Sequence, residues 1–147
     1  FKRVRSLKDV DGLTGLILPG GESTVMRLFL KEYGLDEWLV QQTFPIYGTC
    51  AGLIVLSALG LLNVKVERNA YGRQSASFVA DLDVKGLGAL KGHFIRAPKI
   101  TEVGEGVEVL AEYQGVPVLV RQGNIWASSF HPELAGEGQL HAHIFVC

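Results

Sequence analysis

A chain of 147 residues suits one domain with a real core, and 48 % apolar against 20 % charged residues fits a globular protein rather than a disordered one. A net charge of −1 gives no reason to expect a nucleic-acid or membrane partner, and no apolar run is long enough to span a bilayer. Two cysteines, Cys50 and Cys147, do not make a disulfide framework, and no signal peptide is present, so a reducing, cytoplasmic setting is expected.

Val10 to Gly21 reads as a buried strand stopped by Pro19 and the Gly20–Gly21 pair. An apolar-periodic helix follows from Val25 to Leu39, with Ser23 or Thr24 as its cap and Glu22 near its N-terminus. A Gly-Gly loop opening a helix presents free backbone N–H groups, which suit an anion or an oxyanion; an ordinary strand–helix connection explains the loop equally well. Phe44 to Leu56 then gives a second strand, a turn Gly48-Thr49-Cys50-Ala51-Gly52, and a second apolar helix ending at Gly60. This is the thiol counterpart of the Gly-x-Ser-x-Gly elbow, which lifts a nucleophile clear of a sheet. At a helix N-terminus the dipole and unpaired amides favour the reactive thiolate. The competing reading is a buried structural cysteine in a tight turn.

Two strand–helix units in succession predict a parallel sheet with helices on its faces. The second half is strand-rich: Asn63–Arg68, Gln74–Ala80, Phe94–Arg96, Val107–Tyr113, Val116–Arg121 and Ile125–Ser129 read as short strands, some in hairpins. The last of them runs into His131-Pro132-Glu133, where Pro132 fixes the backbone between a base and a carboxylate. A lone histidine is more often a surface residue. Beside an elbow cysteine, though, Cys50, His131 and Glu133 would supply a nucleophile, a general base and a residue that orients it.

Three segments, Pro19–Thr24, Gly48–Gly52 and Ser129–Leu134, resemble the class I (triad) glutamine amidotransferases. Two more, Val66–Gln74 and Phe94–Pro98, resemble more narrowly the glutaminase subunits of pyridoxal 5′-phosphate synthases, the vitamin B6 branch. The resemblance implies one domain over residues 1–147 with a three-layer, flavodoxin-like α/β fold: a mixed, mostly parallel sheet with helices on both faces. It implies hydrolysis of L-glutamine to glutamate and ammonia by Cys50, His131 and Glu133. Gly21 and Ala51 would hold the oxyanion, and Gly21, Glu22, Ser23, Arg68, Ile95 and Arg96 would bind glutamine, with Arg73 a competitor for the substrate carboxylate. The implied partner is the barrel-shaped synthase subunit in a hetero-oligomeric complex, with no metal and no cofactor.

The sequence departs from that pattern in places. The family opens with a further strand and helix carrying a Leu-Gln-Gly segment. The chain starts at Phe1 without them, which leads us to expect that residues are missing from this sequence. The connection from Leu56 to Gly60 looks about ten residues short. The stretch after Leu134 lacks the usual polar residues, and Cys147 has no matching role. A glutaminase serving another synthase is the alternative that the Glu67-Arg68-Asn69 and Phe94–Pro98 segments oppose. A non-catalytic module of the same fold is opposed by the intact Cys50, His131 and Glu133.

Overall fold

The computed structural model describes residues 1–68, 77–136 and 138–146. The segment 69–76, and with it Arg73 and the start of the expected 74–80 strand, lies outside the described residues, as do Glu137 and Cys147.

The sheet at the centre has five strands. They are β1 (Leu16–Leu18), β2 (Ile46–Thr49), β7 (Glu108–Tyr113), β8 (Val116–Gln122) and β9 (Ile125–Ser128), in the order β1-β2-β9-β8-β7. β1, β2 and β9 run parallel, with Ile17 opposite Tyr47 and Tyr47 opposite Trp126. β9, β8 and β7 follow as an antiparallel meander. The sheet is thus mixed, and its parallel half carries the site. Two antiparallel ribbons flank it: β3 (Val64–Glu67) with β6 (Lys99–Val103), and β4 (Ser77–Val84) with β5 (Gly88–Ile95).

Both faces of the sheet are covered. One side packs against α1 (Ser23–Glu32), α2 (Leu35–Leu39) and α3 (Ala51–Ala58), burying Leu18, Ile46, Leu53, Leu56, Val120 and Ala127 together. The other packs against α4 (Gln139–Phe145) and the β4–β5 hairpin around Tyr47, Phe94, Leu119, Trp126, Phe130 and Leu140. Neighbours such as Ile46 and Tyr47 serve opposite cores, as the period-two geometry of a strand requires.

Three expectations are corrected. The helix from Val25 to Leu39 is broken in two by Gly34, which adopts φ 67°. Its cap is neither Ser23 nor Thr24. The Glu22 carboxylate accepts from the Thr24 N–H at 3.1 Å and the Val25 N–H at 2.8 Å, so one side chain satisfies two free donors that a hydroxyl would have had to share. The strand expected at Phe94–Arg96 is the end of an eight-residue strand, and Arg96 lies beyond it. The short passage from α3 to β3 closes on a left-handed Gly60 at φ 74°, with the Leu61 N–H donating to the Leu56 carbonyl at 3.1 Å, a Schellman-type helix end. No helix among the described residues is long and apolar enough to cross a membrane.

Candidate active site

Parallel pairing of β1, β2 and β9 aligns their C-terminal ends at one edge of the sheet, the place where α/β folds assemble sites. Each end delivers a different group there. β1 leads to Gly20-Gly21-Glu22, β2 to Cys50, and β9 to His131.

Cys50 takes φ 52° and ψ −103°, an unusual conformation for a non-glycine residue that places it as the N-cap of α3. The strain of the turn therefore falls on the cysteine itself. The flanking glycines serve packing. A Cβ on Gly48 would meet the Gly52 carbonyl carbon at 2.6 Å and Leu56 Cδ1 at 2.7 Å, and one on Gly52 would collide with the Leu18 carbonyl oxygen. They let α3 lie directly on β1 and β2, which fixes the direction in which Cys50 leaves the sheet. The Cys50 N–H donates to the Ser128 carbonyl at 2.8 Å, tying the elbow to β9.

His131 follows the end of β9, where its N–H donates to the His93 carbonyl on β5 at 2.8 Å. Its Nδ1 lies 2.7 Å from Glu133 Oε1, in the short range of charge-assisted bonds. That leaves Nε2 for the Cys50 side chain, which lines the same cavity as the ring. Interaction with the Cys50 side chain first, and the bond to Glu133 second, raise His131 to about 9 against the opposing effect of burial. Burial pushes the Glu133 carboxyl up; the His131 bond, its own backbone N–H and the charges of His131 and His141 outweigh it and hold the carboxyl below its usual value. Gly20 is as tightly required as the elbow glycines, since a Cβ there would strike His131 Cε1.

A cavity of about 500 Å³ opens on this cluster. It is lined by Gly21, Glu22, Ser23, Cys50, Ala51, Arg68, Ile95, Arg96 and His131, so every expected residue except Glu133 borders it, and Glu133 stands behind His131. Arg68 donates from Nη1 to Thr24 Oγ1 at 3.3 Å, and the exposed Arg96 has no ion pair among the described residues. Arg96 adopts φ 45°, the second strained non-glycine residue on the cavity wall. The Glu22 carboxylate is held below its usual value by the Val25 and Thr24 N–H groups.

Ile54 and Pro98 also line the cavity and were not expected. Ile54 sits one helical turn beyond Cys50, its N–H bonded to the Cys50 carbonyl, so spacing of four along α3 was the available signal. Pro98 adjoined the expected pair Ile95–Arg96 without being singled out. No group of three metal-ligating side chains occurs among the described residues.

A mixed α/β sheet with a cysteine on a strand–helix elbow, facing a histidine–carboxylate pair, defines a nucleophile-elbow enzyme architecture. The chain belongs to the SNO glutamine amidotransferase family, whose pattern matches residues 1–147. It is 50 % identical over 156 aligned positions to the pyridoxal 5′-phosphate synthase subunit PdxT of Thermus thermophilus, covering 97 % of this chain and 82 % of that protein. It is 51 % identical to the PdxT subunit of Pseudothermotoga lettingae, covering 95 % and 79 %. A solved structure described as a glutamine amidotransferase superimposes with a TM-score of 0.92 at 46 % identity, over 97 % of this chain and 83 % of that one. Because the Thermus alignment is longer than the 147 residues of this chain, the relative carries residues within the matched span that this chain lacks.

Proposed function

We propose that the protein hydrolyses L-glutamine to L-glutamate and ammonia and passes the ammonia to a pyridoxal 5′-phosphate synthase subunit. The reading rests on one observation above all: Cys50 and His131, the latter bonded to Glu133, border one cavity together with the Gly21 loop and two arginines.

In this reading His131 takes the Cys50 proton on Nε2, and the thiolate attacks the side-chain amide carbon of glutamine. The carbonyl oxygen becomes an oxyanion held by the N–H groups of Gly21 and Ala51; the first N–H groups of α3 have no partner within the helix. The C–N bond breaks as the Nε2 proton moves to the departing nitrogen, leaving ammonia and a glutamyl thioester. His131 then takes a proton from water, hydroxide attacks the thioester, and the thiol leaves with that proton as glutamate is released. Glu133 holds the imidazole in the required tautomer and stabilises its charged form. Arg68 and Arg96, exposed on the rim, suit the substrate carboxylate, while Glu22, Ser23 and Ile95 complete the wall.

The partner assignment is supported by the PdxT relatives, which are named as synthase subunits. A cytoplasmic location agrees with the scarcity of cysteine. The test is glutamine turnover by Cys50→Ala and Cys50→Ser with the synthase subunit present. Both variants should be inactive with an unchanged melting temperature, and the electrophilic analogue 6-diazo-5-oxo-norleucine should label Cys50. Labelling at Cys147 instead overturns the assignment.

A further inference from the structure

Beyond the groups that face the cavity, the geometry assigns Ser128 and Tyr47 the part of positioning residues, a buried pair of hydroxyls that sets the direction of His131. The inference rests on the proposed glutaminase reading. Its starting point is where the sheet stops: the β9 ladder ends at Ser128, three residues before the base.

Ser128 is fully buried and touches both halves of the site. Its carbonyl accepts the Cys50 N–H at 2.8 Å. Its hydroxyl donates to the Phe130 carbonyl at 2.8 Å. The peptide group between Phe130 and His131 is therefore held at both ends: its oxygen by Ser128 Oγ, and its N–H by the His93 carbonyl at 2.8 Å. A peptide plane pinned on both sides cannot rotate, and its plane fixes where the His131 side chain departs. One residue thus refers nucleophile and base to the same point of the fold.

Tyr47 decides which way the Ser128 hydroxyl points. The Tyr47 oxygen lies 2.7 Å from Ser128 Oγ, and either atom could be the donor by distance alone. A carbonyl cannot donate, so the Ser128 hydrogen is committed to Phe130 and Tyr47 must supply the other one. Tyr47 is itself fully buried, and burial pushes its phenol far above the usual value, so the hydrogen stays on. Removing the Tyr47 hydroxyl leaves Ser128 free to turn; removing the Ser128 hydroxyl leaves a phenol and a carbonyl unsatisfied in a dry core.

The experiment compares glutamine hydrolysis by wild type, Ser128→Ala, Ser128→Thr, Tyr47→Phe, the double variant Tyr47→Phe/Ser128→Ala, and Ile144→Ala. Ile144 lies in the same core as Tyr47 and away from the cavity, and its variant serves as a control for lost stability. Ser128→Ala should lower kcat about tenfold, as a small misplacement of a reacting group does, with KM changed less than about twofold. Tyr47→Phe should lose less, and the double variant no more than Ser128→Ala, because Tyr47 acts through Ser128. Ser128→Thr, which restores the hydroxyl, should recover most of the rate. The control should keep its kcat whatever it loses in melting temperature. Wild-type kcat in both Ser128→Ala and Tyr47→Phe overturns the positioning role while leaving the glutaminase reading intact. So does a control that loses as much kcat as the Ser128 variant. Absence of glutamine hydrolysis by the wild type, with the synthase subunit present, overturns both.

Discussion

Replacing Glu133 by glutamine tests one bond and leaves the rest of the site in place. Glu133 Oε1 lies 2.7 Å from His131 Nδ1. A hydrogen bond to a charged group is worth roughly 1.5–3 kcal/mol, equal to roughly one to two pH units. The Glu133 side chain is 45 % exposed, so screening by solvent favours the lower end, about one unit. The interaction with Cys50, the largest of the causes that hold His131 at about 9, survives the change. The alkaline limb of kcat/KM for glutamine should therefore move from about 9 toward neutrality by about one unit. Stability should carry the same signature. His131 is raised from 6.5 to about 9, so its contribution is full below about 6.5 and lost as pH rises through about 9. Glu133 is lowered from 4.5, so its contribution is present above 4.5 and lost at more acid pH. The deficit of Glu133→Gln in urea unfolding should thus be greatest between 4.5 and 6.5 and shrink as pH rises through about 9. Its kcat should fall less than that of His131→Ala, since an amide oxygen still accepts from Nδ1–H and nothing replaces a proton shuttle. An alkaline limb that stays at its wild-type position refutes the reasoning, as does a stability deficit that is undiminished above about 9.

Arg68→Ala should raise KM for glutamine about tenfold, the lower end for an exposed charge-assisted contact, with little change in kcat in steady-state assays; an unchanged KM moves the carboxylate clamp to Arg96 or Arg73. Gly52→Ala should cost about 1–3 kcal/mol in urea unfolding, because its Cβ would run into the Leu18 backbone rather than a yielding side chain; a loss near zero shows that α3 is not seated on β1 as tightly as the glycine implies.

Much of the site could be read from the sequence because its chemistry depends on local patterns. Gly48-Thr49-Cys50-Ala51-Gly52 marks an elbow, and His131-Pro132-Glu133 marks an oriented base, without knowledge of the rest of the chain. What the spacing could not give was the reason for each residue. Gly48 and Gly52 stand where a tight turn would ask for glycine, yet they are contact points between α3 and the strands, while Cys50 carries the strained φ. Whether a glycine serves conformation or packing depends on a neighbour distant in sequence, here Leu18 for Gly52. Glu22 escaped as a cap because hydroxyl and short carboxamide or carboxylate side chains are the usual ones, and only the loop's geometry lets a longer carboxylate reach two N–H groups. The β4–β5 hairpin was legible and went largely unread. Ala80, Leu82 and Val84 alternate with exposed residues, and Leu90, Gly92 and Phe94 with exposed or part-buried ones, around a turn at 85–87. α4 was harder, with only Leu140 and Ile144 as buried anchors in seven residues. The strained φ of Arg96 had no local signal at all.

Coupling of glutamine hydrolysis to a partner is a further prediction, with a structural basis that can be tested. Ammonia is mostly protonated near neutral pH, and ammonium is no nucleophile, so a glutaminase serving a synthase gains by staying idle until the acceptor has docked. The loop after β1 is suited to such control. Gly20 is wedged against His131 and cannot shift freely, whereas Gly21 has open space around its Cβ position and adopts φ 138°. A side chain is strained at that angle and glycine is not. The Gly21 N–H, the oxyanion donor in the proposed mechanism, thus sits between a fixed residue and a free one, which permits its rotation without disturbing His131. A partner that binds better when this N–H points into the cavity will shift the loop toward that state, by no more than its differential affinity. The isolated chain should then hydrolyse glutamine weakly, and the synthase subunit should stimulate it. Glutamine and partner should also tighten each other's binding by one common factor. Titration calorimetry with Cys50→Ala, which prevents turnover, measures both halves of that cycle. Gly21→Ala should depress the stimulated rate more than the basal one, since it penalises the glycine-only conformation on which the switch depends. Full activity of the lone subunit, together with a partner affinity indifferent to glutamine, removes the switch.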